Sequence, residues 1–157
     1  MITSIGSFTV ELYHHKAPKS VQQILHHVDD GYYNGVIFHR VIKNFMVQTG
    51  AFDQQLEPLT PSTNKLQNEA DNGLKNSRGT LAMARTADPH SAMAQFFINI
   101  INNPHLDHKD KSKKGWGYAV FGKVVSGMNV VRRLSRVPTN DNNLPLKAII
   151  IKRISRI

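Results

Sequence analysis

Apolar residues in this chain recur mostly at every second position, in short runs broken by Gly, Asn and Pro, and that period confines it to a fold built from short strands. Phe8, Val10 and Leu12 alternate with Thr9 and Glu11, the pattern of a half-buried strand. Ile2 to Ile5 is placed to pair with that run across a turn at Gly6-Ser7. Val36 to Ile42 and Phe45 to Thr49 read as two strands joined at Lys43-Asn44. Thr80 to Arg85, Gln95 to Ile100, Tyr118 to Val125 and Lys147 to Ile154 bring the set to about eight. Helical period occurs in two places. Pro18 opens the first, Val21, Ile24, Leu25 and Val28 form its stripe, and Gly31 ends it. Met128 to Leu134 is the second, with Val130, Val131 and Leu134 inward. Many short strands with two helices predict a mainly β fold, a closed eight-stranded antiparallel barrel, because closure leaves no strand edge unpaired.

Residues 1–157 carry no repeat, linker or low-complexity stretch and read as a single domain. No apolar run is long enough to span a bilayer, and no basic-then-apolar leader opens the chain. Cysteine is absent, which excludes disulfides, thiolate metal sites and a cysteine nucleophile, and points to a cytoplasmic protein. Charge is unevenly placed. Residues 109–157 hold 12 Lys and Arg against 2 acidic residues, a net +10, whereas residues 1–108 hold 8 against 9. The basic third reads as a solvated face, since no aromatic-interleaved RNA motif accompanies it, so neither nucleic acid nor membrane is an expected partner. The chain is expected to be a monomer.

One arginine stands out. Arg40 lies within Phe38-His39-Arg40-Val41-Ile42, an otherwise apolar strand with no acidic neighbour. Across the next turn Met46 and Gln48 share a strand face. In Gln95-Phe96-Phe97-Ile98-Asn99-Ile100, Phe96, Ile98 and Ile100 form one face, and Gln95, Phe97 and Asn99 the other. A large aromatic between two amides on the non-core face suggests a binding surface. Residues 51–79 are irregular and polar, a length of loop that is usually functional. His105-Leu106-Asp107-His108 gathers metal-ligand types, but without an HExxH or Cys/His framework no metal is expected. No Gly-x-Ser-x-Gly elbow supports covalent hydrolysis. The pairs His14-His15 and His26-His27 read as exposed surface.

Four motifs, in order, resemble those of the cyclophilins: Phe38 to Gly50, Gly79-Thr80-Leu81-Ala82-Met83-Ala84-Arg85, Gln95-Phe96-Phe97-Ile98-Asn99, and Gly117-Tyr118-Ala119-Val120-Phe121-Gly122-Lys123-Val124. The connection Asn68-Glu69-Ala70 to Asn76-Ser77-Arg78-Gly79 is similar to the bacterial cytosolic branch. The resemblance implies a closed eight-stranded barrel capped by two α-helices. It also implies a peptidyl-prolyl cis/trans isomerase that acts on proline-containing peptides and folding proteins without a cofactor. By position, Arg40 matches the family's catalytic arginine and Gln48 the glutamine that orients it. Phe45, Met46, Phe97 and Leu106 match the pocket for the proline ring. Ala84, Arg85 and Gln95 match the groove for residues preceding that proline. Arg85 replaces a frequent asparagine, at a position where the family's contact runs through the backbone. Tyr118 stands where many eukaryotic members have histidine. His105 stands where they have a tryptophan that helps bind cyclosporin, so weak cyclosporin binding is expected. A proline-peptide module without turnover and an RNA-binding protein are the rival readings; retention of both Arg40 and Gln48 argues against the first.

Overall fold

The computed structural model describes residues 1–157. Along the chain lie β1 (Ile2–Thr3), β2 (Gly6–Ser7), β3 (Thr9–Leu12), α1 (Pro18–Asp29), β4 (Phe38–Ile42) and β5 (Met46–Thr49). Then follow β6 (Thr80–Met83), β7 (Phe96–Asn99), β8 (Val120–Ser126), α2 (Met128–Leu134) and β9 (Ile151–Arg153). Every strand pairing is antiparallel. The ladders fall into a six-stranded sheet, β3-β8-β6-β7-β5-β4, and a three-stranded sheet, β2-β1-β9. The expected mainly β architecture with two helices is therefore present, with nine strands in two sheets. Neither helix is long and apolar enough to cross a membrane.

The first hairpin differs from the sequence reading. Its turn falls at Ser4-Ile5, so that Ile2 pairs with Ser7 and Thr3 with Gly6, while β3 pairs with β8. The cause is local. The Thr3 hydroxyl accepts from the Ile5 N–H at 3.3 Å and donates to the Gly6 carbonyl at 2.6 Å, closing the turn early. Gly6 then takes a φ of +136°, which favours glycine.

Alternation along the six-stranded sheet makes two cores. The larger cluster joins Phe38, Phe96, Ile98 and Phe121 to Val21 and Ile24 of α1 and to Val130, Val131 and Leu134 of α2. The smaller one, Met46, Ala82, Phe97 and Val120, lies on the opposite face of β5, β7, β6 and β8. Neither α-helix packs on that face, and the candidate site is built on it.

Two imidazoles have a buried, unpartnered Nδ1, those of His27 and His39. His26 is exposed as expected, but His27 is 0% exposed, because its helix face turns inward beneath Thr63, whose hydroxyl lies 3.0 Å from Nε2. His39 packs edge-on against Phe52. Desolvation lowers both pKa values. For His27 the neighbouring His26 adds to the shift and Asp30 opposes it; for His39 the Arg40 charge adds, bringing it to about 4. Between the ordinary 6.5 and these lowered values the unfolded chain binds more protons than the folded one, so stability falls as pH drops through that window. We expect His39 alone to cost about 2 kcal/mol between pH 7 and pH 5. Urea midpoints for wild type and His39→Gln would measure it; equal slopes with pH in the two proteins would contradict the assignment.

Candidate active site

The β4–β5 hairpin turns at Lys43-Asn44, where Asn44 adopts a φ of +57° that asparagine tolerates well. Its register sets Arg40 opposite Gln48 and Ile42 opposite Met46. Register continues the line across the sheet: Gln48 faces Phe97, Phe97 faces Ala82, and Ala82 faces Val120. Directly opposed residues share a face. Arg40, Gln48, Phe97, Ala82 and Val120 thus form one row, cationic at its edge and apolar at its centre.

The row floors a cavity of 130 Å³ lined by Arg40, Phe45, Met46, Gln48, Ala84, Arg85, Phe97, Leu106 and Tyr118. Nine of the eleven residues singled out in the sequence therefore converge. The other two lie beside it. Gln95 lines an adjoining cavity of 270 Å³. His105 is exposed and stacks on Phe45, with ring centroids 5.5 Å apart and planes at 26°.

Arg40 is exposed and makes no ion pair within 4.0 Å. Its Nη1 lies 3.5 Å from Gln48 Oε1, a long contact. Gln48 Nε2 in turn donates to Gln95 Oε1 at 3.0 Å, which aims the Gln48 carbonyl oxygen at the guanidinium. Phe97, 4% exposed, meets Tyr118 edge-to-face at 5.6 Å. The Arg85 guanidinium lies 4.5 Å over the Tyr118 ring, and its Nε donates to the Gly117 carbonyl at 2.9 Å.

Sequence reasoning missed what holds these walls. Strand alternation groups Asn99 with Phe97 as part of a binding surface, but Asn99 is 0% exposed and its amide is bonded into a buried network. Asn103 Nδ2 donates to Asn99 Oδ1 at 2.8 Å and to the Phe45 carbonyl at 3.1 Å. Asn99 Nδ2 donates to Thr80 Oγ1 and Asn76 Oδ1. Asn76 Nδ2 reaches the carbonyls of Leu106 and Tyr118, and Asn68 Nδ2 that of Gly117. Amides buried and bonded in this way fix the loops that carry Phe45, Leu106 and Tyr118. Their only trace in the sequence is the asparagine richness of residues 51–79 and 99–103. The His105–His108 cluster is dispersed: Asp107 accepts from the Asn76 N–H, and the His108 ring contacts the Trp116 carbonyl.

Comparison with known proteins shows the family. The family model described as cyclophilin type peptidyl-prolyl cis-trans isomerase/CLD matches residues 1–156. Peptidyl-prolyl cis-trans isomerase cyp18 of Streptomyces antibioticus is 48% identical over 157 residues, spanning 96% of this chain and 92% of its own. Peptidyl-prolyl cis-trans isomerase B of Escherichia coli K12 is 43% identical, spanning 98% and 95%. A crystal structure of a Cryptosporidium parvum cyclophilin type isomerase, in the presence of the dipeptide Ala-Pro, superposes with a TM-score of 0.82 at 29% identity, covering 98% of this chain and 94% of that one. With family model and relatives agreeing over almost its whole length, this chain belongs to the cyclophilin-type peptidyl-prolyl cis-trans isomerases.

Proposed function

We propose that the Arg40 row and its apolar hollow are the isomerase site, taking a proline ring against Phe45, Met46, Phe97 and Leu106 while Arg40 acts on the prolyl nitrogen. An X-Pro bond turns against a barrier of about 18–20 kcal/mol that comes from resonance between the nitrogen lone pair and the carbonyl. In the twisted transition state that lone pair localises on nitrogen and accepts a hydrogen bond. Arg40 is a suitable donor because a guanidinium stays charged and carries several N–H groups. Gln48 presets its direction, so little reorganisation is needed as the lone pair appears. No covalent bond to carbon breaks, and no cofactor takes part. Stabilising the twisted amide above either planar isomer produces the acceleration.

The observation that carries this reading is an unneutralised guanidinium on the rim of a 130 Å³ cavity lined mostly by apolar residues. A surface arginine kept for solubility needs no such hollow, and a pure binding module needs no preset cation. The test is exchange between cis and trans forms of a short proline peptide, followed by NMR with and without protein. Tight binding without faster exchange would favour the binding module.

The wider reading is a single domain, acting in the cytoplasm as a monomer on proline-containing segments of folding chains. The two sheets are read as one barrel. Support comes from the bridge between Ile37 and Ile150 beside β4, and from the paired bonds of Met1 with Phe8 beside β3. Cyclosporin is expected to bind weakly, since the exposed imidazole of His105, stacked on Phe45, stands in place of an indole. A calorimetric titration saturating at nanomolar drug would contradict this.

A further inference from the structure

We propose that the 270 Å³ cavity beside the proline hollow selects substrates with an acidic side chain just ahead of the proline. This rests on the isomerase reading and adds a substrate class to it. The two cavities share Gln48, Ala84 and Arg85 as their common wall. Consecutive Cα atoms are about 3.8 Å apart, so a chain with its proline in one hollow passes its neighbouring residues over the other.

The second cavity is cationic. Its charged lining residues are Lys65 and Arg85, and neither cavity is lined by Asp or Glu. Neither cation has a carboxylate partner within 4.0 Å. Two nearby carboxylates are held by their own loops: Asp88 Oδ1 accepts from the His90 N–H, and Asp53 Oδ1 from the N–H groups of Gln55 and Glu57. The remaining hydroxyls, Thr86 and Ser91, are bonded to each other. An incoming anion thus finds two unpaired cations and no acid in the lining.

Arg85 is suited to this. Its Nε holds the Gly117 carbonyl, its Nη1 the Thr86 carbonyl at 2.9 Å, and its plane lies over Tyr118. The fork is therefore set before substrate arrives, while Nη2 keeps its donors for a carboxylate. Lys65, exposed on the irregular stretch between β5 and β6, supplies the second charge. Both cations are partly or fully exposed, so each pair adds little affinity, and the effect is one of selection, screened by salt.

The test is NMR exchange on proline peptides carrying Glu, Gln or Lys at each of the two positions before proline, at low and high salt. At one of those positions we expect kcat/KM to fall in the order Glu, Gln, Lys, with Glu about fivefold above Lys at low salt. The gap should close at high salt, and Lys65→Glu should reverse or abolish the order. Equal rates across the charge series at both positions, or an order unaffected by salt and by Lys65→Glu, would overturn the proposal. Failure of the Gln peptides to exchange would defeat the isomerase reading itself; exchange with a flat charge series would defeat only the selection.

Discussion

Replacing Arg40 by alanine is expected to lower kcat/KM for proline isomerisation by about a hundredfold, the usual size of losing one preset donor to a transition state. Stability should move by no more than about 0.5 kcal/mol. The two expectations come from the same observations. Arg40 is exposed, has no ion pair and touches Gln48 only at 3.5 Å, so the folded state loses almost nothing with it. The loss should fall mostly on kcat, with KM little changed, because the hydrogen bond to nitrogen exists only when the amide is twisted. Arg40→Lys should recover a minor part, since an ammonium keeps the charge and lacks the planar fork. Single-turnover exchange and urea melts on the three proteins would decide it. A folded alanine variant within threefold of wild type would remove Arg40 from the mechanism.

How much of this site was legible in the sequence depends on which forces placed each residue. Arg40, Gln48 and Phe97 were legible because strand alternation and a short turn fix their face, and both are local properties. Helix α2 was legible to its ends, since Val130, Val131 and Leu134 at helical spacing are the residues that pack into the core. Residues whose place is set by distant partners were not. An asparagine side chain in isolation favours turns, and nothing local tells that Asn76 will find Leu106 and Tyr118 or that Asn103 will find Phe45. His27 likewise sits on the buried arc of α1, where a polar ring is uncommon, and only Thr63, 36 residues further along, satisfies its Nε2. The first hairpin failed for a smaller reason: the Thr3 hydroxyl closed a turn that hydrophobic pattern alone placed two residues later.

The same alternation yields a second large effect, on neighbouring residues. Phe96 and Phe97 are adjacent and both nearly inaccessible, at 1% and 4%, yet they belong to different cores. Phe97→Ala removes the floor of the hollow. It should cost about 3–5 kcal/mol of stability, as loss of a buried phenyl does, and its cavity would open beneath the substrate ring. The expected kinetic result is a rise in KM, with kcat/KM down by about tenfold or more, because the grip on proline is apolar burial worth about 1.5–3 kcal/mol. Phe96→Leu is the control. It is close to volume-conserving, should cost about 1–2 kcal/mol and touches only the larger core, so turnover per folded molecule should stay unchanged. Stability alone cannot then account for the difference: both variants weaken the fold, and only one should lose its substrate. If Phe96→Leu impaired turnover as much as Phe97→Ala, or if Phe97→Ala kept its KM, the hollow over Phe97 would not be where the proline ring binds.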